Sequence, residues 1–498
     1  MKMRLVRGVA AALAVVAFGA AATDTRADDS VSIVQKASAL VTGHDLDAAR
    51  KVLEAGDPDN ALVASELGRL ALYAADCDRA AEIFGRPDLS KIPELATLAE
   101  VSRGCARVTA ATVVLEDKAA GVRVRFQDEG DQALFPLLVE TTVKARDMLA
   151  TALGATWNHP TDITIVRDHL SLSAMTGLPY EAARTTGTVA VAKWGRVTMI
   201  SPRASQHGYP WRDTLAHELT HLAVTRQSLD RAPLWLQEGL AKNHETRWRA
   251  PGPFDDRPSA DAVARRGIEK KLDLPLDKLG PSIAMLPSAD AAMVAFAEVT
   301  SFIAFLTRKA SPDVLPRLLV ALRTQEVDPA LKSVTGLTLA EWDKEWRGEL
   351  TRRKVEPETQ TVLAAARDPF RLAELLLARG HAKEALTQLD QLPKEALDDP
   401  SVRYARARAL EALGRGDEAK ALVANPKEVS FSYGPFWALR ARLAGTAVGE
   451  GDFVEALAHD PFGVEAACAV VGDSKPPASP SGLCAAALAA GVPDIGRE

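Results

Sequence analysis

The two ends of the chain carry apolar residues at the spacing of amphipathic helices, and both ends contain internal repeats. Residues from about 30 to 115 are rich in Ala and Leu, which predicts helices there. A turn-like segment at 43–49 recurs 32 positions later, at 75–81. Near the other end, Gly380 and Gly414 each precede a Glu-Ala pair at an offset of 34 residues, the period of tetratricopeptide helix pairs. We therefore predict tetratricopeptide-like helical hairpins, with a generic helical bundle as the alternative.

The middle of the chain begins with strand-like patterns and continues with helical ones. Val122–Phe126 alternates between apolar and charged residues, and residues 162–166 form a second predicted strand. Residues 188–192 and 196–200 predict a hairpin around Lys193-Trp194-Gly195. The pattern then becomes helical, so this region is predicted to be an α+β unit in which strands precede helices.

These patterns divide the chain into four predicted segments. A length of 498 residues exceeds what one hydrophobic core usually serves. From the N-terminus, the segments are a signal peptide at 1–27, a helical repeat-like domain at 28–117, an α+β domain at 118–354 and a tetratricopeptide-like helical domain at 355–498.

Composition and charge are those of an ordinary soluble globular protein. Hydrophobic residues make up 47% of the chain and charged residues 25%, which argues against a disordered chain. The formal net charge of -6 is small for this length. We expect no nucleic-acid partner, because dedicated nucleic-acid binders carry a dense basic face.

The N-terminus has the pattern of an export signal. Lys2, Arg4 and Arg7 give a positive start, an apolar stretch at 9–22 follows, and small residues there and at Ala27 offer cleavage sites. The stretch is too short for a comfortable membrane span, although an uncleaved N-terminal anchor is the alternative. We predict an exported protein, periplasmic or extracellular, with no stable membrane insertion after cleavage.

Four cysteines fit an oxidising compartment, in which disulfides persist. Cys77 and Cys105 lie near the N-terminus, and Cys468 and Cys484 near the C-terminus. Local pairing within each end is the simplest of the three possible connectivities, and buried free thiols are the alternative. None of the four has the close spacing of a Cys-based zinc site.

The strongest chemical signal is a His-Glu-x-x-His motif within a helical pattern that begins at Trp211. On a helix, His217 and His221 are four residues apart, so both imidazoles project from one face. Two neutral imidazole nitrogens on one face form half of a zinc site. Glu218 is displaced from that face, so its carboxylate can reach a water on the metal rather than the metal itself. A surface helix with two unrelated histidines is the alternative.

A second helical segment supplies a third candidate ligand. Pro233 suits the first turn of a new helix, and Glu238 follows one to two turns later among Trp235, Leu236 and Leu240. A carboxylate in such apolar surroundings is costly to bury without a partner, and a metal ion is such a partner. The alternative is a Glu that faces water on the polar side of the helix.

Together, the motif at 217–221 and the segment at 234–241 resemble the gluzincin metallopeptidases, specifically their peptidase MA-like domains. The resemblance covers roughly residues 120–353. It implies an α+β domain in which a small mixed sheet is followed by helices. It also implies that a substrate strand adds to the edge of the sheet, beside residues 188–192.

The same resemblance implies the chemistry of the site. It makes His217, His221 and Glu238 the ligands of a Zn²⁺ ion and Glu218 the general base. Three protein ligands leave one zinc position open for water, and zinc lowers the pKa of that water. Glu218 would take the proton and pass it to the leaving amine. This predicts an exported zinc-dependent peptidase that acts on a peptide or protein substrate.

The sequence departs from the pattern of this family in two places. Related enzymes often carry a Tyr or His downstream of the third ligand, but residues 296–302 contain no Tyr. Lys242 stands one turn after Glu238, where an acidic partner would be useful. The other candidate donors for an oxyanion are His207, Tyr209, Tyr180 and His244. No Gly-x-Met-Glu-Asn stretch is present, so we favour an endopeptidase over an aminopeptidase.

Two other functions fit parts of this sequence. A non-catalytic tetratricopeptide-like scaffold could retain a zinc-binding peptidase-like domain; the absent Tyr favours it, whereas the intact Glu218 favours the enzyme. In a zymogen, the N-terminal helices would cover the cleft until the residues before about 115 were removed. The helical repeats are in each case the expected site for a protein partner.

Overall fold

The computed structural model describes residues 25–204, 209–251, 255, 259–280, 282–353, 367–398, 400–424, 434–444 and 449–462. The predicted signal peptide at 1–27 lies outside these residues except for its last three. The predicted pair Cys468–Cys484 lies wholly outside them.

The N-terminal region is helical, and its helices are α1 Thr25–Thr42, α2 Leu46–Leu53, α3 Ala61–Tyr73, α4 Cys77–Phe84 and α5 Ala96–Thr109. The two turns that repeat in the sequence also share a structural role: the side chain of Asp45 caps α2, and the side chain of Asp76 caps α4. Cys77 and Cys105 form a disulfide that links α4 to α5, which confirms the predicted local pairing.

A five-stranded mixed sheet follows, with strands in the order β1-β2-β3-β5-β4. Its strands are β1 Val113–Asp117, β2 Val122–Phe126, β3 Thr161–Val166, β4 Ala190–Lys193 and β5 Arg196–Ile200. The three inner strands run parallel, whereas β1 and β4 pair antiparallel at the two edges. β3 and β5 are buried along their whole length, as expected of strands covered on both faces. The predicted α+β unit and the predicted β4–β5 hairpin are confirmed.

β1 corrects the sequence analysis, which assigned residues up to about 115 to helices. Val113–Asp117 pairs residue for residue with β2. Asp117 accepts a hydrogen bond from the N–H of Ala120 at 2.9 Å, and Gly121 takes a left-handed φ of 61°, so the chain reverses tightly between the strands. Because only alternate residues of β1 are partly buried, its apolar signal merges with that of the preceding helix. The predicted domain boundary after residue 117 falls inside this hairpin.

Helices complete the central unit: α6 Phe135–Leu153, α7 His169–Thr176, α8 Tyr180–Thr186, α9 Trp211–Ser228, α10 Leu234–His244, α11 Ala260–Glu269, α12 Ala289–Lys309, α13 Val314–Ala321, α14 Val327–Thr335 and α15 Leu339–Arg352. Among the described residues, Asp290–Lys309 alone is long and apolar enough to cross a membrane by length and composition, and 61% of its most apolar window is buried inside the protein. This helix forms part of the core, where Phe302 packs edge to face on Trp346 with ring centroids 5.9 Å apart.

The C-terminal region consists of helix pairs: α16 Arg367–Ala378, α17 Ala382–Asp390, α18 Pro400–Ala412, α19 Gly416–Val423, α20 Gly434–Ala444 and α21 Gly449–His459. Gly380 and Gly414 reverse the chain within the first two pairs, with left-handed φ values of 78° and 73°. Helical hairpins at the predicted offset are therefore present, whereas their assignment to the tetratricopeptide repeat stays a prediction.

Candidate metal centre

α9 presents the His-Glu-x-x-His motif on the face that turns toward α10. His217 and His221 are one helical turn apart, and their Nε2 atoms lie 3.2 Å from each other. Leu215, Leu219 and Leu222 are buried on the other faces of the helix. The hydrophobic core thus fixes α9 as a rigid element, and both imidazoles project from one face as the sequence predicts.

Glu238 joins the two histidines from α10. Its Oε2 atom lies 3.7 Å from Nε2 of His217 and 3.5 Å from Nε2 of His221. Leu229 and Asp230 take left-handed φ values of 51° and 61°, which ends α9 and returns the chain so that α10 packs beside it. The structure therefore brings the three predicted ligands together.

Gly239, next to the third ligand, allows α10 to approach α12 closely. A Cβ at this position would lie 2.8 Å from the carbonyl oxygen of Val299 and would clash with the side chain of Ile303. Trp235 reinforces the contact, because its ring meets Phe302 edge to face at 5.3 Å. This tight helix pair fixes the position of Glu238 along the axis of α10.

The donor set fits a zinc ion. Zinc holds His nitrogens at about 2.0–2.1 Å and carboxylate oxygens at about 2.0–2.2 Å in a tetrahedral arrangement, so two of its ligand atoms lie about 3.3–3.5 Å apart. The three donor atoms here are separated by 3.2, 3.5 and 3.7 Å. Two imidazoles and one carboxylate are also a donor set of catalytic zinc sites, which keep a fourth position open. Shifts of a few tenths of an ångström would therefore suffice to hold the ion.

Two residues that the sequence analysis missed orient the imidazoles. Oε2 of Glu245 lies 3.0 Å from Nδ1 of His217, and Oε1 of Gln237 lies 3.2 Å from Nδ1 of His221. When each Nδ1 donates its proton to that oxygen, each Nε2 keeps its lone pair for a metal. Side chains outside the ligand set thus select the tautomer that zinc requires.

The acidic partner expected one turn after Glu238 is found two turns after it. Lys242 occupies the nearer position and forms an ion pair with Glu245, with Nζ 2.5 Å from Oε1. Positions seven residues apart lie on the same face of a helix, so this spacing is the signal in the sequence that could have identified Glu245. The departure at Lys242 therefore does not deprive His217 of a carboxylate.

Glu218 lies beside the ligands without joining them. The residue is 6% exposed, and the backbone N–H of Ala192 in β4 faces its carboxylate. Burial raises the pKa of its carboxyl, and the imidazoles of His221 and His217 only partly oppose that effect. A carboxylate with a raised pKa beside a metal site is suited to accept a proton from water near neutral pH.

The charges of the ligand cluster match a cation. Burial lowers the pKa of His217, but the carboxylates of Glu238 and Glu245 outweigh it and raise that pKa to about 10. Burial raises the pKa of Glu238, but the imidazoles of His221 and His217 outweigh it and hold that pKa well below its usual range. The site therefore favours positive charge among its carboxylates, which either protons or a divalent ion supplies.

The predicted oxyanion donors lie elsewhere or have other partners. Tyr209 donates its hydroxyl to a backbone carbonyl at the end of β5, and burial raises the pKa of that hydroxyl. His244 is buried with Nδ1 2.8 Å from a carbonyl of its own helix, and burial lowers its pKa to about 4. Tyr180 is exposed at the start of α8. His207 lies outside the described residues.

The site falls in a region that matches a known family. Residues 141–352 match the Peptidase MA superfamily. The matched span begins within α6 and ends with α15, so it contains α9, α10 and all four predicted site residues. The chain matches no curated protein and no solved structure. This region is a peptidase-like domain of the Peptidase MA superfamily, which confirms the broader part of the resemblance seen in the sequence.

The sheet of the Peptidase MA domain extends beyond the matched residues. β1 and β2 precede the span, yet β2 pairs in parallel with β3 inside it, from Val122 opposite Thr161 to Phe126 opposite Ile165. The structural unit around the candidate metal centre therefore begins before residue 141.

Proposed function

We propose that this protein is an exported zinc-dependent peptidase of the gluzincin type. The observation that carries the proposal is the convergence of His217, His221 and Glu238 inside a Peptidase MA domain, with Glu218 beside them. A zinc peptidase needs three protein ligands, an open coordination position and an adjacent base. The described residues include three candidate ligands and a candidate base, which supports the proposal.

The roles of the residues follow from their positions. His217, His221 and Glu238 would hold Zn²⁺, which supplies the Lewis acidity that polarises a carbonyl and lowers the pKa of water. Glu218 accepts the proton of the attacking water and passes it to the leaving amine. The N–H of Ala192 keeps the Glu218 carboxylate oriented, and burial keeps that carboxylate basic.

No strand of the described residues pairs with the outer edge of β4, and we propose that an extended substrate binds there. The N–H of Ile200 donates to the carbonyl of Val189 at 2.8 Å, and in an antiparallel ladder such paired residues alternate with residues whose backbone groups face outward. By this alternation the backbone groups of Ala190 and Ala192 face the open edge, which places the N–H of Ala192 toward the carboxylate of Glu218. A peptide that adds as a further strand would run past the metal ligands. We therefore favour cleavage within extended chains, by an endopeptidase.

Export and a protein partner complete the proposal. The charged and apolar start of the chain, at 1–27, would direct it out of the cytoplasm, and the Cys77–Cys105 disulfide suits an oxidising compartment. The C-terminal helix pairs, proposed to be tetratricopeptide-like, would hold a protein substrate or partner. Such a partner would lie near the active-site helix, because Nε1 of Trp211 in α9 donates to the carbonyl of His459 in α21 at 2.7 Å.

The test is cleavage of unfolded casein by the purified protein and by Glu218→Gln, each with and without a chelator. Glu181→Gln is the matched control, because Glu181 pairs with Arg184 on the exposed surface of α8. We expect the wild type and the control to cleave, the chelator to stop both, and added zinc to restore them. Loss of the general base should slow cleavage about 100-fold or more.

Two results would overturn the proposed enzymatic function. If the wild type and Glu218→Gln cleave alike, Glu218 is not the base. If neither form cleaves while zinc remains bound, the protein is a metal-binding scaffold.

A further inference from the structure

The turn between β4 and β5 is docked into the N-terminal helical region. Trp194 packs against both hydrophobic clusters of that region, and its ring meets Tyr73 edge to face at 6.1 Å. Gly195 lies so close to the same helices that a Cβ would come 2.7 Å from Nδ1 of His44 and 3.0 Å from Cδ1 of Tyr73. Most hairpin turns lie in solvent, whereas this one inserts into another folded region.

Arg196, directly after the turn, forms a second anchor. It is 1% exposed, and its two terminal nitrogens donate to the carbonyl of Leu72 at 2.8 Å and to Sγ of Cys105 at 3.1 Å. Cys105 is itself fixed by its disulfide with Cys77. Within the part of the chain that the structure describes, no carboxylate forms an ion pair with Arg196. Burial of a cation with a carbonyl and a sulfur as partners is unfavourable, so this residue is poorly explained by stability.

The residue at the first position of the turn is also poorly suited to the local backbone conformation. A two-residue hairpin turn with positive φ at both positions favours Asn, Asp or Gly, because a bulky side chain is crowded there. Here the first position holds Trp194, with φ 56°. A strained aromatic residue and a buried charge two positions later persist only if their surroundings determine them. Both residues reach the same N-terminal helices, so docking accounts for both.

The docked turn leads directly to the general base. β4 spans Ala190–Lys193 and lies at the edge of the sheet, where, among the described residues, it pairs with β5 and no other strand. Ala192, two residues before Trp194, has its N–H directed away from β5 and toward the carboxylate of Glu218. Successive backbone groups of a strand point in opposite directions, so a slip of one residue would turn this N–H away from the carboxylate. The register of β4 is therefore part of the geometry of the site.

We propose that the N-terminal helical region is a positioning element of the active site. It holds Trp194, Gly195 and Arg196, and thereby keeps β4 in the register that directs the N–H of Ala192 at Glu218. The catalytic consequence rests on the proposed peptidase function, whereas the positional claim does not. The proposal opposes the zymogen alternative, because release of these helices would impair the site instead of opening it.

Arg196→Met in the full chain tests the second anchor. The carbonyl of Leu72 also accepts the N–H of Ala75 at 3.2 Å, so the substitution leaves no orphaned acceptor there. Removal of a buried charge should leave the melting temperature close to that of the wild type. We expect amide exchange at 190–192 to rise about 10-fold, kcat/KM to fall about 10-fold and zinc affinity to stay within about twofold. The matched control, Arg79→Met on the exposed face of α4, should change none of these quantities.

Trp194→Asn tests the first anchor without loss of the turn. Asn suits the left-handed position, so the turn itself should be retained while the contact with Tyr73 is lost. We expect the same rise in exchange at 190–192 and the same fall in kcat/KM, with KM raised as well as kcat lowered because β4 also carries the proposed substrate edge.

The outcomes separate this inference from the proposed function. Exchange at 190–192 that matches the wild type in both variants would overturn the positional claim, whatever the activity. Faster exchange with unchanged kcat/KM would overturn its catalytic consequence. If the wild type cleaves nothing while exchange rises in both variants, the peptidase proposal fails and the positional claim stands.

Discussion

Glu218 lies where two differently built regions meet: the candidate metal centre on α9 and α10, and the docked hairpin of β4 and β5. The three ligands come from consecutive helices, between His217 and Glu238. The hairpin is held by partners far away in sequence, since Arg196 is 124 residues from Leu72 and 91 residues from Cys105. The candidate metal ligands are therefore close together in the sequence, whereas the residues that anchor the hairpin beside Glu218 are far apart in the sequence.

Substitutions in one region should leave the other region unchanged. The largest effect on zinc affinity is expected at the third candidate ligand, Glu238. Glu238→Gln removes a charged donor, so zinc affinity should fall by more than about 100-fold, beyond the loss typical of residues outside the ligand set. Casein cleavage should be lost as well. Amide exchange at 190–192 should stay at the wild-type rate, because the anchors of the hairpin lie in other helices. Chelator competition measures the zinc affinity, and hydrogen exchange on the same sample measures the exchange rate at 190–192. A loosened β4 in this variant would mean that the two regions are one unit.

The next effect concerns the orientation of His217. Glu245→Gln weakens the acceptor for its Nδ1–H, and we expect zinc affinity to fall about 10- to 100-fold while the fold is kept. Lys242→Met, at the other end of the same ion pair, is the control. It should lower zinc affinity much less, since it leaves the carboxylate in place. Chelator competition again gives the affinities. Equal affinities for Glu245→Gln and the wild type would remove Glu245 from the metal centre.

Protons should compete with zinc for the candidate metal centre and leave the docked hairpin unaffected. The pKa of His217 is raised to about 10 by its carboxylate neighbours, so below that pH the metal-free site holds a proton that zinc must displace. Zinc affinity should therefore rise with pH, by about tenfold per pH unit between pH 6 and 8. Calorimetry in buffers of different ionisation enthalpy counts the released protons. Zinc binding without proton release would contradict this charge balance.

The smallest effect is expected in α12, which packs against α10 but contributes no candidate ligand and no anchor of the hairpin. Glu298 is fully buried, and burial raises the pKa of its carboxyl from the ordinary value of 4.5 to about 8. The folded state therefore retains a proton that the unfolded state releases, and stability falls as pH rises from about 4.5 to 8. Glu298→Gln should be stabilising by about 1–2 kcal/mol at pH 9 and nearly neutral at pH 4.5. Thermal unfolding across this range is the measurement, and a pH-independent difference would contradict the assignment.

The sequence predicted that His217, His221 and Glu238 lie together, because the geometry of this cluster is helical and local. The four-residue spacing of His217 and His221 places both on one face, and Glu238 stands out as a carboxylate among apolar residues. Glu245 was missed because the expected acid was sought one turn after the ligand, not two.

The parts of the fold that the sequence did not predict depend on tertiary contacts. β1 carries too weak an alternation to be separated from α5, and its strand conformation comes from pairing with β2. Nothing near Trp194 in the sequence indicates that it would occupy a left-handed turn position, because the cause lies in the helices around Tyr73. At these positions the conformation departs from the local preference of the residue because contacts with residues distant in sequence determine it.

Metal analysis combined with X-ray absorption would show whether two imidazoles and one carboxylate bind a single zinc ion. We predict one zinc per chain, with two nitrogen ligands at about 2.0–2.1 Å and a carboxylate oxygen at about 2.0–2.2 Å, and loss of that oxygen in Glu238→Ala. Purified protein that binds no stoichiometric metal after incubation with zinc, or the same coordination in wild type and Glu238→Ala, would contradict the account.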